Sequence, residues 1–220
     1  MRRIVGGVFQ SLDGVIQGGG GPTEDPTGGF AHGGWMPPVA DERVGQAIDD
    51  FFSRPYNLLL GRRTYEIFAA YWPYAEGEGA AMGEAFTAAN KYVLTRGEQP
   101  LPWENSHRLR GMDDVAALKQ GDGRDLLFQG GSTIYVGLLA AGLLDQLRLY
   151  TFPLVLGGGK RLFGEGTPPV TLKLVDHVVS PGGTVIATYE PAGPVETGSF
   201  GQIDSPREEE RQRRMKEGTW

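Results

Sequence analysis

The sequence predicts an α/β fold, a three-layer αβα sandwich around a mixed, mostly parallel sheet that finishes on a C-terminal antiparallel hairpin. Three observations predict it. Short apolar runs alternate with stretches of helical period along residues 2–156. Two of those runs pass through glycine directly into a helix pattern, at Leu60-Gly61 and at Gln129-Gly130-Gly131. Then the order changes, and two strand-like runs flank Ser180-Pro181-Gly182-Gly183, a hairpin signal.

Taken in order, residues 2–10 read as a buried first strand and residues 11–38 as a long Gly- and Pro-rich loop, a length usually kept for function. Residues 41–54 are helical, with Val44, Ile48, Phe51 and Phe52 on one face and Asp41 suited to the N-cap. Residues 56–60 form a strand, and 63–71 a helix that Pro73 ends. A helix over 80–89 and a strand over 91–94 follow. The short helix over 113–120 has an acidic start and Gly121 after its end. Residues 126–128 are a strand, 133–141 a helix closed by Gly142, and 146–156 a strand interrupted at Pro153. The hairpin pairs 172–179 with 184–190.

With 220 residues the chain can bury one good core, assigned to residues 1–190. Residues 191–220 form a polar and charged tail whose stretch 206–216 is a mixed-charge helix former. Glu208 with Gln212, Glu209 with Arg213 and Glu210 with Arg214 stand at i,i+4 spacing, so the charges are expected to pair locally. A solvated tail is the plain reading; a subunit-contacting arm anchored by Phe200 and Trp220, giving a homodimer, is the alternative. The net charge of −6 argues against a general nucleic-acid or membrane-surface binder. Cysteine is absent, which excludes disulfides, thiolate metal sites and cysteine nucleophiles. His32, His107 and His177 lack ligand spacing, so no metal is expected. The N terminus has no secretory core and the longest apolar run, 134–144, is too short to span a bilayer. A cytoplasmic protein is the expectation.

The chemistry is carried by the two glycine turns. A strand that runs through glycine into a helix N terminus leaves backbone N–H groups pointing outward, with the helix dipole favouring an anion and nothing to block a phosphate. Gly130-Gly131-Ser132-Thr133-Ile134-Tyr135 is one such turn, and Gly61-Arg62-Arg63-Thr64 is the second. Two turns, one bearing two arginines, suit a diphosphate ligand with an extra phosphate, and NADPH fits that description. There is no Gly-x-Gly-x-x-Gly fingerprint, and Gly157-Gly158-Gly159-Lys160 lacks the spacing of a P-loop.

The ordered set of motifs resembles the dihydrofolate reductase-like superfamily over roughly residues 2–190. It comprises Gly61 to Glu66, Leu94-Thr95-Arg96 and Gly130 to Tyr135. Ser11-Leu12-Asp13-Gly14, Tyr71-Trp72-Pro73 and Val155 to Gly159 narrow the resemblance to the branch of the riboflavin-biosynthesis reductase domain and its stand-alone relatives. The resemblance implies a dinucleotide lying across the carboxyl ends of the strands. Gly61, Arg62, Arg63 and Thr64 resemble the turn that grips its phosphates. Thr95 and Arg96 resemble the strand end flanking the adenosine. Gly130, Gly131, Ser132 and Thr133 resemble the pyrophosphate turn, with Tyr135 close by. Ser11, Asp13 and Gly14 resemble the segment facing nicotinamide and substrate.

The implied activity is a hydride transfer from NADPH to a small heterocyclic, imine or carbonyl substrate. The reductase of 5-amino-6-(5-phosphoribosylamino)uracil and dihydrofolate reductase are the two models. The alternative is a non-catalytic NADPH- or ligand-binding protein of the same fold. Dihydrofolate reductases use a buried acid at the start of the first helix. Asp41 is its nearest counterpart here, farther from Gly61 than a clean match requires and sufficiently explained as an N-cap. Asp13 is the better candidate for substrate contact or proton relay, with an Asp-Gly turn as the plain alternative. Trp35 either lines the substrate pocket or plugs the long loop.

Overall fold

The computed structural model describes residues 1–201 and 203–219. Eight strands form one sheet: β1 (Ile4–Ser11), β2 (Tyr56–Gly61), β3 (Lys91–Leu94), β4 (Ser106–Leu109), β5 (Asp125–Gln129), β6 (Gln146–Phe152), β7 (Leu172–Val179) and β8 (Val185–Pro191). Six helices accompany them: α1 (Glu42–Phe52), α2 (Arg62–Tyr71), α3 (Ala80–Ala88), α4 (Met112–Gln120), α5 (Ser132–Ala140) and α6 (Pro206–Glu217). The strand order is β4-β3-β2-β5-β1-β6-β8-β7. Pairings from β4 to β6 are parallel, while β6 with β8 and β8 with β7 are antiparallel. The expected sandwich and terminal hairpin are therefore both present.

Chain direction decides which face each helix covers. Right-handed crossovers that move toward β4 and those that move toward β6 must lie on opposite faces. The buried side chains agree. Leu58 and Leu60 pack with Tyr65 and Phe86 of α2 and α3, whereas Leu59, Leu126 and Phe128 pack with Val115, Tyr135 and Leu138 of α4 and α5. Val44 and Ala47 of α1 join Tyr150, Phe152 and Trp35 in a third cluster. Strand β5 thus feeds a helix on one face, while its neighbours β2 and β1 feed helices on the other. That reversal opens a crevice at the carboxyl ends of the strands, where ligands of such sheets bind.

Strand β1 is thinned to fit under both layers. A Cβ at Gly6 would stand 2.6 Å from the Tyr135 hydroxyl, and one at Gly7 would stand 2.7 Å from Nε2 of Gln129 and 2.9 Å from the Phe51 ring. At the other edge, β7 pairs with β8 through a register shift between Leu174 and Asp176, a bulge. The hairpin turn is closed by Gly183 N–H to the Ser180 carbonyl at 2.9 Å, with Gly183 at φ +87°.

Strand β4 has no counterpart in the sequence reading, β6 stops at Phe152, just before Pro153 and four residues short of the expected 156, and the remaining boundaries fall within about two residues of those expected. The tail helix α6 forms as expected, but its charges pair mainly at i,i+3. Arg211 binds Glu208 at 2.6 Å and Arg213 binds Glu210 at 2.7 Å, while Gln212 donates to Glu208 at i,i+4. Trp220, the second expected anchor, lies outside the described residues.

Lys91 is fully buried at the start of β3 and caps the end of α3, donating to the carbonyls of Phe86 at 2.9 Å and Thr87 at 2.7 Å. Its ammonium sits 4.4 Å from the Trp103 ring centroid. Burial pulls its pKa down to about 8, with Glu104 opposing. Between about pH 8 and the unfolded value of 10.5 the unfolded chain therefore binds more protons, and stability rises with pH. Above pH 10 Tyr56 and Tyr150, pushed by burial to about 12, act in the opposite sense. The unfolding free energy, and with it the denaturant midpoint, is thus expected to rise between pH 8 and 10, the former by no more than about 3 kcal/mol. Lys91→Met should flatten that rise. A wild-type midpoint that is level or falling in this window would show that Lys91 titrates normally.

Candidate active site

The two expected phosphate turns meet. Gly61 closes β2 and Gly130 follows β5, and their surroundings interlock. A Cβ at Gly61 would stand 2.8 Å from Cδ1 of Ile134 in α5, and one at Gly130 would stand 3.2 Å from Oγ1 of Thr64 in α2. Gly61 and Gly131 are the N-caps of α2 and α5, and neither helix has a side-chain cap. Asp41 caps α1 and Ser205 caps α6, whereas α3 and α4, like α2 and α5, have no side-chain cap. The N-terminal N–H groups of α2 and α5 are therefore left for an external acceptor.

The two glycines of the turn after β5 divide the work. The left-handed backbone is at Gly130, with φ +156°, while Gly131 has an ordinary φ of −77°. Gly131 instead supplies space, because a Cβ there would meet no atom within 4 Å. That open cradle, beside half-exposed Ser132 and exposed Thr133, fits a phosphate group. Thr64 does not cap α2. It is the third residue of the helix, and its hydroxyl has no hydrogen-bond partner among the described residues.

Of the three arginines, Arg62 is committed. It pairs with Glu66 and donates to the carbonyls of Gln99 and Pro100, each at 3.1 Å. It thereby helps hold the loop after β3, which Arg108 and Arg110 grip from the other side through Gly97, Gln99 and Glu98. Arg63 and Arg96 are exposed, and their guanidinium groups have no partner among the described residues. They stand two residues past Gly61 and Leu94, which are register partners at adjacent strand ends. Thr95 accepts from Gly97 N–H at 3.2 Å and shapes that corner.

Tyr135 is corrected. It is fully buried, with its ring 4.4 Å from that of Phe128 and its hydroxyl 3.4 Å from the Gly7 carbonyl, so it supports the turn from beneath and offers no surface. Trp35 is the plug. It is 7% exposed, packs edge-on against Phe152 at 5.5 Å and donates its indole N–H to the Gln17 carbonyl at 2.8 Å. Asp41 is likewise occupied. It accepts from Val44 N–H at 3.0 Å and Gly182 N–H at 2.7 Å, and the Gly182 and Ser180 hydrogen bonds hold its pKa low.

Asp13 is built in more tightly still. Its carboxylate accepts from Ser11 Oγ at 2.6 Å, Leu156 N–H at 3.1 Å, Gly157 N–H at 3.0 Å and Arg161 at 3.2 Å. These bonds, with Ser11 first and Leu156 next, pull its pKa from 3.8 to about 2. Ser11 is itself buried and its Oγ also accepts from Val15 N–H at 2.9 Å. Asp13 and Ser11 therefore tie the loop after β1 to the loop after β6. The anionic carboxylate stabilises this tie above about pH 3.8, and the contribution is lost as pH falls through 2. An amide presents an N–H₂ group where only donors converge. Asp13→Asn is thus expected to lower turnover and the thermal midpoint together, the latter by a few degrees. Collapsed turnover with an unmoved midpoint would instead assign the carboxylate to the chemistry.

One residue was missed in the sequence. Gln129 ends β5 directly before Gly130, is 7% exposed, and its side chain has no hydrogen-bond partner among the described residues. Its Nε2 lies against Gly7 and Phe51, on the α1 face of the crevice. The fully buried polar side-chain atoms without a partner among the described residues are those of Tyr56 and Thr184, so the Gln129 amide reaches solvent and can exchange water for a ligand. The signal was available as a polar residue ending an apolar strand.

Among the described residues no group of His, Asp or Glu is placed to hold a metal, and no helix is long and apolar enough to cross a membrane. The family model described as the RibD C-terminal domain matches residues 2–186. The chain is 27% identical over 194 residues to the uncharacterized protein YyaP of Bacillus subtilis (strain 168), covering 86% of this chain and 94% of that one. A candidate riboflavin biosynthesis protein from Shewanella sp. PV-4 superposes with a TM-score of 0.63 at 20% identity, over 86% of this chain and 99% of that one. Dihydrofolate reductase from Enterococcus faecalis, complexed with NADP(H), superposes with a TM-score of 0.55 at 16% identity, over 86% and 96%. The fold is thus of the dihydrofolate reductase type, as the sequence motifs led one to expect.

Proposed function

Because this chain belongs to the RibD C-terminal domain family, we propose that it is an NADPH-dependent reductase. Its substrate is a small heterocycle, imine or carbonyl compound of the kind represented by pyrimidine riboflavin precursors or pterins. The observation that carries this reading is the pair of interlocked, uncapped helix N termini at β2 and β5, with Arg63 and Arg96 unpaired at neighbouring strand ends. The riboflavin-biosynthesis description of one structural neighbour and the NADP(H) bound to another support it. Residues 1–190 would be the catalytic unit, working in the cytoplasm.

When bound, NADPH supplies the hydride. The chain's own residues position and shield. Gly130, Gly131, Ser132 and Thr133 would hold one phosphate through backbone N–H groups, and Gly61 and Thr64 the next. Thr95 would border the adenosine, and Arg63 and Arg96 would take the 2′-phosphate, a task for which guanidinium geometry suits. The Ser11–Asp13 tie would fix the loop that faces nicotinamide and substrate. Gln129 would give its amide to a polar edge of the substrate in place of water. The test is NADPH oxidation against a panel of aminopyrimidines, pterins and quinones, with cofactor titration alongside. Failure to bind NADPH would overturn the reading.

A second reading is favoured by one observation. Both candidate acids, Asp13 and Asp41, are held anionic by structural donors. With no free acid among them, a non-catalytic NADPH- or ligand-binding role is the alternative. Tight NADPH binding without turnover across the panel would select it; turnover would send the search for the proton to solvent.

A further inference from the structure

Building on the reductase reading, we propose that a hollow at the carboxyl ends of β1 and β6 takes the outer part of the substrate, and that this part is an uncharged, carbonyl-bearing ring rather than a phosphate or carboxylate tail. The hollow, about 440 Å³, lies between residues 27–32 of the loop after β1 and residues 156–160 of the loop after β6. Small-molecule sites usually measure roughly 300–1,000 Å³. Its place follows from the sheet. The phosphate turns close β2 and β5, and β1 and β6 are the next two strands in order. With strands about 4.8 Å apart, the end of β6 stands about 10 Å beyond that of β5. A dinucleotide held at β2 and β5 therefore brings its reactive ring toward β1, and whatever reacts with it extends toward β6.

The walls of the hollow are fixed. Gln17 is buried, and its side chain donates to the Asp25 carbonyl at 2.9 Å and the Thr27 carbonyl at 2.8 Å and accepts from Lys160 N–H at 3.0 Å. One amide thus joins two loops 143 residues apart in sequence. Phe30 and Leu156 supply apolar surface, and both pack with the cluster around Trp35 and Phe152. Gly158 supplies room. Its backbone is outside the left-handed region, so its conformation does not call for glycine, and a Cβ there would meet no atom within 4 Å.

Charge selects the ligand. Two titratable side chains, Lys160 and His32, line the hollow, and among the described residues no carboxylate does. Lys160 is not a free cation. Its ammonium donates to Oδ2 of Asp25 at 2.5 Å and to Oγ1 of Thr27 at 2.7 Å. Burial opposes the ionisation of Asp25, but the hydrogen bonds from Lys160 and Thr27 outweigh it and hold the carboxyl below its ordinary pKa. The pair therefore carries no net charge at neutral pH. What it leaves for a ligand is the third ammonium hydrogen. Beside it is the His32 ring, which is exposed, stands edge-on to Phe30 at 5.9 Å and has no hydrogen-bond partner among the described residues. These are directional donors without surplus positive charge. A neutral carbonyl can accept from them, whereas a phosphate or carboxylate would leave water for a site with nothing to balance it. The unpaired guanidinium groups, Arg63 and Arg96, stand past β2 and β3 instead.

Titration of the cofactor-free chain with lumazine, an uncharged pteridinedione that fluoresces, tests this, with benzoate and phenyl phosphate as charged probes followed by calorimetry. Lumazine is expected to bind. Gly158→Leu, which fills the hollow, and His32→Ala are each expected to weaken it by about tenfold or more with unchanged thermal midpoints. Benzoate and phenyl phosphate are expected to show no binding that Gly158→Leu removes. Asp25→Asn, which leaves the Lys160 charge unbalanced, is expected to create such binding. Lumazine that fails to bind, or that binds Gly158→Leu as well as the unaltered chain, overturns the hollow as its seat. A charged probe that binds the unaltered chain and is lost on Gly158→Leu overturns the uncharged assignment. An Asp25→Asn chain that still takes neither charged probe overturns charge balance as its cause. The reductase reading fails separately, on absent NADPH binding, and leaves the lumazine result standing.

Discussion

Gly131→Val is expected to bind NADPH at least about 100-fold more weakly while remaining folded. The two halves of that expectation have separate causes. The backbone at Gly131 has φ −77° and a Cβ would touch nothing within 4 Å, so the fold has no reason to object. The same open space is where a phosphate must approach the free N–H groups of α5, and a branched side chain fills it. Charge-assisted hydrogen bonds of ~1.5–3 kcal/mol each are at stake, and losing one or two accounts for the size of the effect. Circular dichroism with fluorescence titration decides the matter. Unchanged affinity refutes the phosphate turn. The equivalent change at Gly130 is less informative, since its positive φ and its contact with Thr64 make a folding defect expected there.

NADPH is expected to bind on the order of 100-fold more tightly than NADH, through Arg63 and Arg96. Arg62 is left out of this count because Glu66 and two carbonyls already occupy it. Replacing both Arg63 and Arg96 by glutamine should bring the two dissociation constants together with little change in that for NADH. Because both guanidinium groups are exposed, the preference should shrink as salt is raised. Equal affinities in the unaltered protein would remove the 2′-phosphate assignment.

The elements with strong local signals were legible in the sequence. Asp41 and the spacing of Val44, Ile48 and Phe51 specified α1, and the glycine turns specified where α2 and α5 begin. Strand β4 was not legible, because Ser106-His107-Arg108-Leu109 has no apolar alternation. It exists by pairing with β3 at the sheet edge, and only Leu109 is buried. The site was half legible. Motif spacing located the turns, but the roles of individual side chains depend on partners distant in sequence. Arg62 is claimed by carbonyls 37 and 38 residues away, and Asp13 by N–H groups 143 and 144 residues away. Trp35 could line or plug until Phe152 was seen against it. Nothing local in the chain encodes those choices.

The bulge in β7 bears on a different matter, the chain's behaviour in crowded solution. An outermost strand offers a row of unpaired backbone groups to any other strand it meets, and β7 also exposes Leu174, Val175 and Val179. A flat strand with that composition would be a template for aggregation. The extra residue at Val175 breaks the regular two-residue pleat, and Lys173, Asp176 and His177 place polar groups around the break. The irregularity therefore acts as a guard, allowing the sheet to end on an apolar strand without inviting another sheet to continue it.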